Sequence, residues 1–259
     1  IGSKPVLAVD ASTQMAESTE SKGADRTLAI FEAFEQLRRP LTLRELADHC
    51  GIPASTCHGL VHTLIARAYL YQTSRRKDIY PTRRIFDLAA TVVAHDPVLE
   101  QLRRETQETV LFGKRHKDQI LYLEVLEGPQ TIRYSSRPGA YKPMHSSAIG
   151  KVMLAAMDPA ELDAWLQEHP LPRVTPATIT NRKRLIESLE EGRRLGYFST
   201  HGENVPDVSA IAVPIHVGGE LLAICVAGPS HRMQGSTLRK HTSHLLDARR
   251  RLQEQGIAA

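Results

Sequence analysis

Cysteine is scarce in this chain of 259 residues: Cys50, Cys57 and Cys225 are the only three, and no two of them form a C-x-x-C pair. That excludes a disulfide framework and favours a reducing compartment. Long apolar runs are missing as well. No stretch approaches the roughly 20 residues of a membrane span, and the N-terminus lacks the charged and then apolar regions of a signal peptide. The expectation is therefore a cytoplasmic protein with no membrane partner. There is no internal repeat, no G-x-S-x-G nucleophile motif and no recognisable pair of catalytic carboxylates. What is present is an ordinary globular composition, 41% hydrophobic and 24% charged, over a length sufficient for two domains.

The net charge of +4 is modest, but it is unevenly placed. Residues 23–84 hold ten Lys and Arg against six Asp and Glu, an excess of four that accounts for the whole chain's balance. Such an asymmetry favours a polyanionic partner for that segment.

Residues 41–64, LTLRELADHCGIPASTCHGLVHTL, read as two short helices broken by Gly51. Thr42 is placed to N-cap the first, whose Leu43, Leu46 and Ala47 follow helical spacing. Leu60, Val61 and Leu64 give the second an apolar stripe, with Ser55, Thr56, His58, Gly59 and His62 largely opposite. This is a helix-turn-helix, and its second helix is of the kind that enters the DNA major groove. Ser55 and Thr56 suit phosphate contact and His58 a base edge. The blander reading is a helical hairpin with a polar outer face.

The flanking residues favour DNA. Asp25 is placed to cap a preceding helix through Leu28, Ile30, Phe31, Phe34 and Leu37, which stops at Pro40. After the motif, Tyr69–Tyr71 and Ile79–Tyr80 read as a β-hairpin with its tip at Thr73–Asp78. That tip carries Arg75, Arg76 and Lys77, which in a winged helix lie near the DNA backbone; without the helix pair they would read as a solvated loop. Residues 82–95 are helical and apolar along Ile85, Leu88, Ala89 and Val92. With no partner in the small domain, this is a linker helix available for packing in a dimer. Asp96-Pro97 ends it.

Beyond it the expectations are a helix over 98–109; strands at 110–115, 119–126 and 131–135; helices at 146–157, 159–168 and 181–195; strands at 197–200, 209–217 and 220–227, the last two joined by Gly218-Gly219; and a closing helix from about Ser236 to Gln255. Antiparallel strands flanked by helices make an α+β domain. The domain expectations are a flexible tail over 1–22, a winged helix-turn-helix over 23–81, a linker helix over 82–97 and a ligand-binding domain over 98–259.

Gly139, Pro143, His145, Gly150-Lys151 and Leu154-Ala155, followed by Gly196-Tyr197, Glu203, Pro206, Val208, Ile211-Ala212, Pro214 and Ala227-Gly228-Pro229, resemble the conserved pattern of the IclR family of bacterial transcriptional regulators. The helix-turn-helix matches that family's L-T-L-x-E-L-A and S-T-x-H pattern too. The resemblance implies an N-terminal winged helix and a C-terminal GAF-like domain with an antiparallel sheet that binds a small effector. It also implies homodimers or tetramers on double-stranded operator DNA; no cofactor and no metal are expected. The expected DNA contacts, read from the helix pair and the hairpin tip, are Thr42, Ser55, Thr56, His58, Gly59, His62, Arg75, Arg76 and Lys77. By the resemblance the effector pocket maps to Thr131, Tyr134, Ala148, Ile149, Thr200, Val208 and Ala210, with the Ala148 and Ile149 amides facing an effector carboxylate. Four positions depart from the family: Gly59 stands where Arg is frequent, the wing tip is basic where a glycine is usual, Asp207 replaces a glycine and Ala210 a cysteine.

Other chemistries fit less well. His58 and His62 lack a four-ligand zinc spacing. Gly150-Lys151 lacks the Ser or Thr of a phosphate-binding loop, because Val152 follows. His145 reads as a hydrogen-bonded scaffold residue, Arg133 and Arg137 as surface pairing, and His231, His241 and His244 as solvated. The competing function is a metabolite-binding enzyme or sensor whose helical head binds protein rather than DNA.

Overall fold

The computed structural model describes residues 21–92 and 96–254. Residues 1–20 of the expected tail, 93–95 of the expected linker helix and residue 255 of the closing helix lie outside that description. The chain divides into two compact units, Ile1–Ala94 and His95–Ala259.

The first unit contains α1 (Lys22–Leu37), α2 (Leu43–Cys50), α3 (Ala54–Ala66), β1 (Leu70–Gln72), β2 (Ile79–Pro81) and α4 (Arg84–Val92). The ends of α1 and α2 follow local chemistry. Arg38 takes a left-handed conformation at the end of α1 and returns its N–H to Phe34. Thr42 and Glu45 form a reciprocal capping box on α2, and Gly51 ends that helix at φ +61°. Ile30, Phe34, Leu46, Ile52, Cys57, Val61 and Leu64 bury the three helices against one another. Leu41 and Ile79 exchange backbone hydrogen bonds, so the wing is tied to the start of α2 and its register is held where Leu70 and Ile79 enter the core.

The second unit is a six-stranded antiparallel sheet between two helical layers. Its elements are α5 (Pro97–Thr106), β3 (Thr109–His116), β4 (Gln119–Leu126), β5 (Tyr141–Pro143), α6 (Ala148–Ala156), α7 (Pro159–Glu168), α8 (Arg182–Leu195), β6 (Phe198–His201), β7 (Val208–Val217), β8 (Glu220–Pro229) and α9 (Gly235–Glu254), with strand order β5-β4-β3-β8-β7-β6. The period-two alternation of β7 and β8 sorts the sequence into faces. Ile211, Val213, Ile215, Ile224 and Val226 meet α5 and α9. Ala210, Ala212, Ala223, Cys225 and Ala227 face the layer of α6. Small side chains on that face leave space for α6 to approach and for a cavity beside it.

Four expectations are corrected. Asp25 lies within the first turn of α1, whose N-cap is Ser21; there its carboxylate still complements the positive end of the helix dipole. Residues 131–135 form no strand, because side chains rather than a neighbouring strand take their carbonyls: Thr109 donates to Tyr134 and Arg232 to Ile132. The strand at that edge is β5, paired to β4 through Gln119–Leu121. His241 is buried on α9 rather than solvated, while His244 faces Glu105 at 3.1 Å.

Candidate nucleic-acid interface and ligand cavity

In the first unit the geometry collects polar groups on the outer face of α3. Ser55, His58, Gly59 and His62 are exposed and Thr56 is half-buried. The imidazoles of His58 and His62 stack with centroids 6.4 Å apart. Pro53 precedes the helix and no side chain caps it, so its first N–H groups are open to an anion at the positive end of the helix dipole. No Asp or Glu occurs in α3.

The hairpin tip is shaped by its own polar atoms. Thr73 Oγ1 accepts from the Asp78 amide at 3.2 Å, Gln72 donates to the Lys77 carbonyl at 2.8 Å, and Lys77 sits at φ +58°. Tyr71 and Tyr80 stack across the strands at 5.0 Å. Arg75, Arg76 and Lys77 are all exposed, and among the described residues none of the three forms an ion pair. Thr42 is differently employed: its hydroxyl and amide are both bonded to the Glu45 carboxylate at 2.8 Å. These bonds, the first of them from the Thr42 amide and then those from Arg39, hold the Glu45 carboxyl down at about 2.

In the second unit a cavity of ≈ 30 Å³ lies between α6 and the sheet, room for about one water. Tyr134, Ala148, Ile149, Thr200, Val208 and Ala210 all line it. Thr131 does not, because it is exposed on the loop after β4. Ser147 caps α6 by accepting from the Gly150 amide at 3.2 Å, and the first intrahelical bond is Lys151 N to Ser147 O at 2.9 Å. The Ala148 and Ile149 amides thus precede the helical ladder beside the cavity. Around them the walls are apolar or weakly polar. Burial pushes the Tyr122 hydroxyl up, with Tyr134 and Cys225 adding to the effect, and burial alone pushes the Cys225 thiol up.

Beside the cavity runs a buried ion pair. Lys151 Nζ donates to Glu203 Oε1 at 2.8 Å, to Ser188 Oγ at 3.0 Å and to the Ser199 carbonyl at 3.0 Å. Burial pulls the Lys151 ammonium below its ordinary range, against the opposing pull of Glu203. Glu203 begins the short segment that continues into the cavity-lining Asn204 and Val205. That segment is pinned by Thr175 and Thr178, which donate to the Gly202 and Glu203 carbonyls at 2.6 and 2.7 Å, and Asn204 donates to Ser146 at 3.1 Å. His145 bonds the Pro172 carbonyl at 3.0 Å, and burial lowers its basicity.

The sequence reading did not name Leu111, Tyr122, Ser147, Asn204, Val205, Cys225 and Ala227, which also line the cavity. The small-residue alternation Ala223-x-Cys225-x-Ala227 was the available signal for the last two. Arg133 pairs with Glu127 at 2.7 Å on the surface. Among the described residues no group of three or more His, Cys, Asp or Glu is placed to hold a metal ion, and none of the helices is long and apolar enough to cross a membrane.

Residues 23–74 match the family model described as the IclR helix-turn-helix domain, and residues 87–254 match the one described as bacterial transcriptional regulator IclR C-terminal. The HTH-type transcriptional regulator BhcR of Paracoccus denitrificans is 32% identical over 89% of this chain and 86% of its own length. The IclR of Thermotoga maritima shares the fold at a TM-score of 0.74 and 21% identity, over 90% of this chain and 98% of that one. An IclR homolog of Microbacterium hydrocarbonoxydans complexed with 4-hydroxybenzoate shares it at 0.68 and 22%, over 90% and 100%. With a helix-turn-helix at one end, an α+β domain around a lined cavity at the other and family matches across both, the chain belongs to the IclR family of bacterial transcriptional regulators.

Proposed function

We propose that this regulator reads operator DNA with α3 and the wing, and is switched by a small organic-acid or aromatic metabolite taken into the cavity beside α6. The observation that carries the reading is the exposed, acid-free face of α3 next to an unpaired basic hairpin tip. Ser55 and Thr56 are the phosphate contacts at the open helix start, His58, Gly59 and His62 face the base edges, and Arg75, Arg76 and Lys77 neutralise the adjacent backbone. Thr42 acts at this interface by holding the start of α2, since its hydroxyl is engaged by Glu45.

The ligand class follows from the lining. The amides of Ala148 and Ile149 suit a carboxylate, while Tyr122, Tyr134, Val208 and Ala210 suit a compact apolar or aromatic body. The 4-hydroxybenzoate held by the Microbacterium homolog is of this class. A cavity of ≈ 30 Å³ is too small for such a molecule, so the ligand selects a more open arrangement of the α6 start and the 203–205 segment. Unequal binding to the two arrangements is what makes the ligand a switch.

A second copy of the chain completes the reader. On α4, Ile85, Phe86 and Leu88 are exposed, Phe86 to 58%, and a two-fold pair sets two recognition helices on successive half-sites. A homodimer, or a tetramer of two such pairs, acts in the cytoplasm. The test is selection of duplexes from a randomised pool by the full chain, followed by titration with and without a panel of carboxylic acids that includes 4-hydroxybenzoate. Recovery of a common duplex whose affinity one acid changes supports the reading; recovery of unrelated duplexes refutes it.

A further inference from the structure

Glycine in a helix interior is unfavourable, so each such residue calls for a reason. Among the described glycines all but two have one inside the chain. They occupy a left-handed φ, or an added Cβ would strike a neighbour at 2.9 Å or less. Gly150 and Gly192, both within helices, illustrate the second case: a Cβ would lie 2.1 Å from the Met144 carbonyl and 2.2 Å from the Phe198 ring. One exception, Gly23, is in the first turn of α1, and its Cβ would meet only Ser21 Oγ at 3.9 Å. The other is Gly59, in the middle of α3, where a Cβ would meet nothing within 4 Å.

Gly59 also sits at the centre of the exposed face, next to His58 and one turn before His62. Among the described residues no internal contact, turn or backbone strain explains it. We propose that the reason lies outside the chain: Gly59 is a specificity-determining position at which the backbone of α3 comes into van der Waals contact with a base-pair edge, in the space a side chain would fill. The imidazoles of His58 and His62 then reach the bases on either side of that contact. This inference rests on the DNA-reading function proposed above, and it assigns the point of closest approach.

The test uses the full chain and its Gly59→Ala variant. The probe is a duplex selected from a randomised pool by the unsubstituted chain, with a scrambled duplex as control. Amide hydrogen exchange across α3 is expected to slow by about fivefold in Gly59→Ala, because alanine favours the helix. Affinity for the selected duplex is expected to fall by about tenfold or more, with affinity for the scrambled duplex unchanged. A more protected helix that binds its selected duplex less tightly has no explanation in folding. Equal or tighter binding of the selected duplex by Gly59→Ala overturns the inference and leaves DNA reading intact. Failure of the unsubstituted chain to select any duplex overturns both.

Discussion

Lys151 on α6 and Glu203 after β6 lie 2.8 Å apart with side chains only 1% and 8% exposed. Neither charge reaches bulk water, so each depends on the other. The pair ties together three cavity neighbours: α6 through Lys151, β6 through the Ser199 carbonyl and the 203–205 segment through Glu203.

Removing one partner strands a buried charge. Lys151→Met or Glu203→Leu is expected to cost roughly 3–5 kcal/mol in the second unit. Urea unfolding followed by the fluorescence of Trp165, which is buried in the same unit, measures it. The double variant Lys151→Met/Glu203→Leu should recover much of the loss; a double variant as damaged as the sum of the singles would show that the two residues act independently.

The capping box of α2 gives a pH prediction. The Glu45 carboxyl is lowered from 4.5 to about 2 in the folded chain. A depressed carboxylate contributes stability that is present above its unfolded value and lost as pH falls through the folded one. Protection of the α2 amides is therefore expected to decline between pH 4.5 and about 2, and Glu45→Gln should remove this dependence. An unchanged acid profile in that variant would assign the effect to another group.

At the cavity, Ala148 and Ala210 point small side chains into a confined space. Ala148→Leu or Ala210→Phe is expected to abolish the response to carboxylic acids while sparing affinity for the selected duplex. Calorimetry with 4-hydroxybenzoate and its relatives checks this, and undiminished heats in both variants would move the effector site elsewhere.

The wing makes a salt-dependent claim. The double variant Arg75→Ala/Arg76→Ala should weaken binding to selected and scrambled duplexes alike. The slope of log affinity against log salt should become shallower by about 2. Loss of affinity for the selected duplex alone would mean that these arginines read bases.

Much of the architecture was legible because it is local. The N-cap at Thr42, Gly51 at a helix end and Gly218-Gly219 at a hairpin are short-range signals that the structure places as expected, whereas the return bond from Glu45 went unread. Six of the seven expected effector positions meet at one cavity through residue-by-residue family resemblance, which periodicity would not supply. What escaped is non-local. The Ile132 and Tyr134 carbonyls bond to Arg232 and Thr109, residues distant in sequence, so a β-prone stretch stays a loop and Thr131 is left outside the cavity. The pairing of Lys151 with Glu203 carried no sequence signal, because the two lie 52 residues apart.

The most direct test of the central claim is a titration of the full chain onto a duplex selected from a randomised pool, against a scrambled duplex of the same composition at one fixed salt concentration. The expected result is a preference of about 10³-fold or more for the selected duplex, reduced when both His58 and His62 are replaced by Ala. Equal affinity for the two duplexes, or a preference that survives the loss of both histidines, would contradict the assignment of α3 as the element that reads sequence.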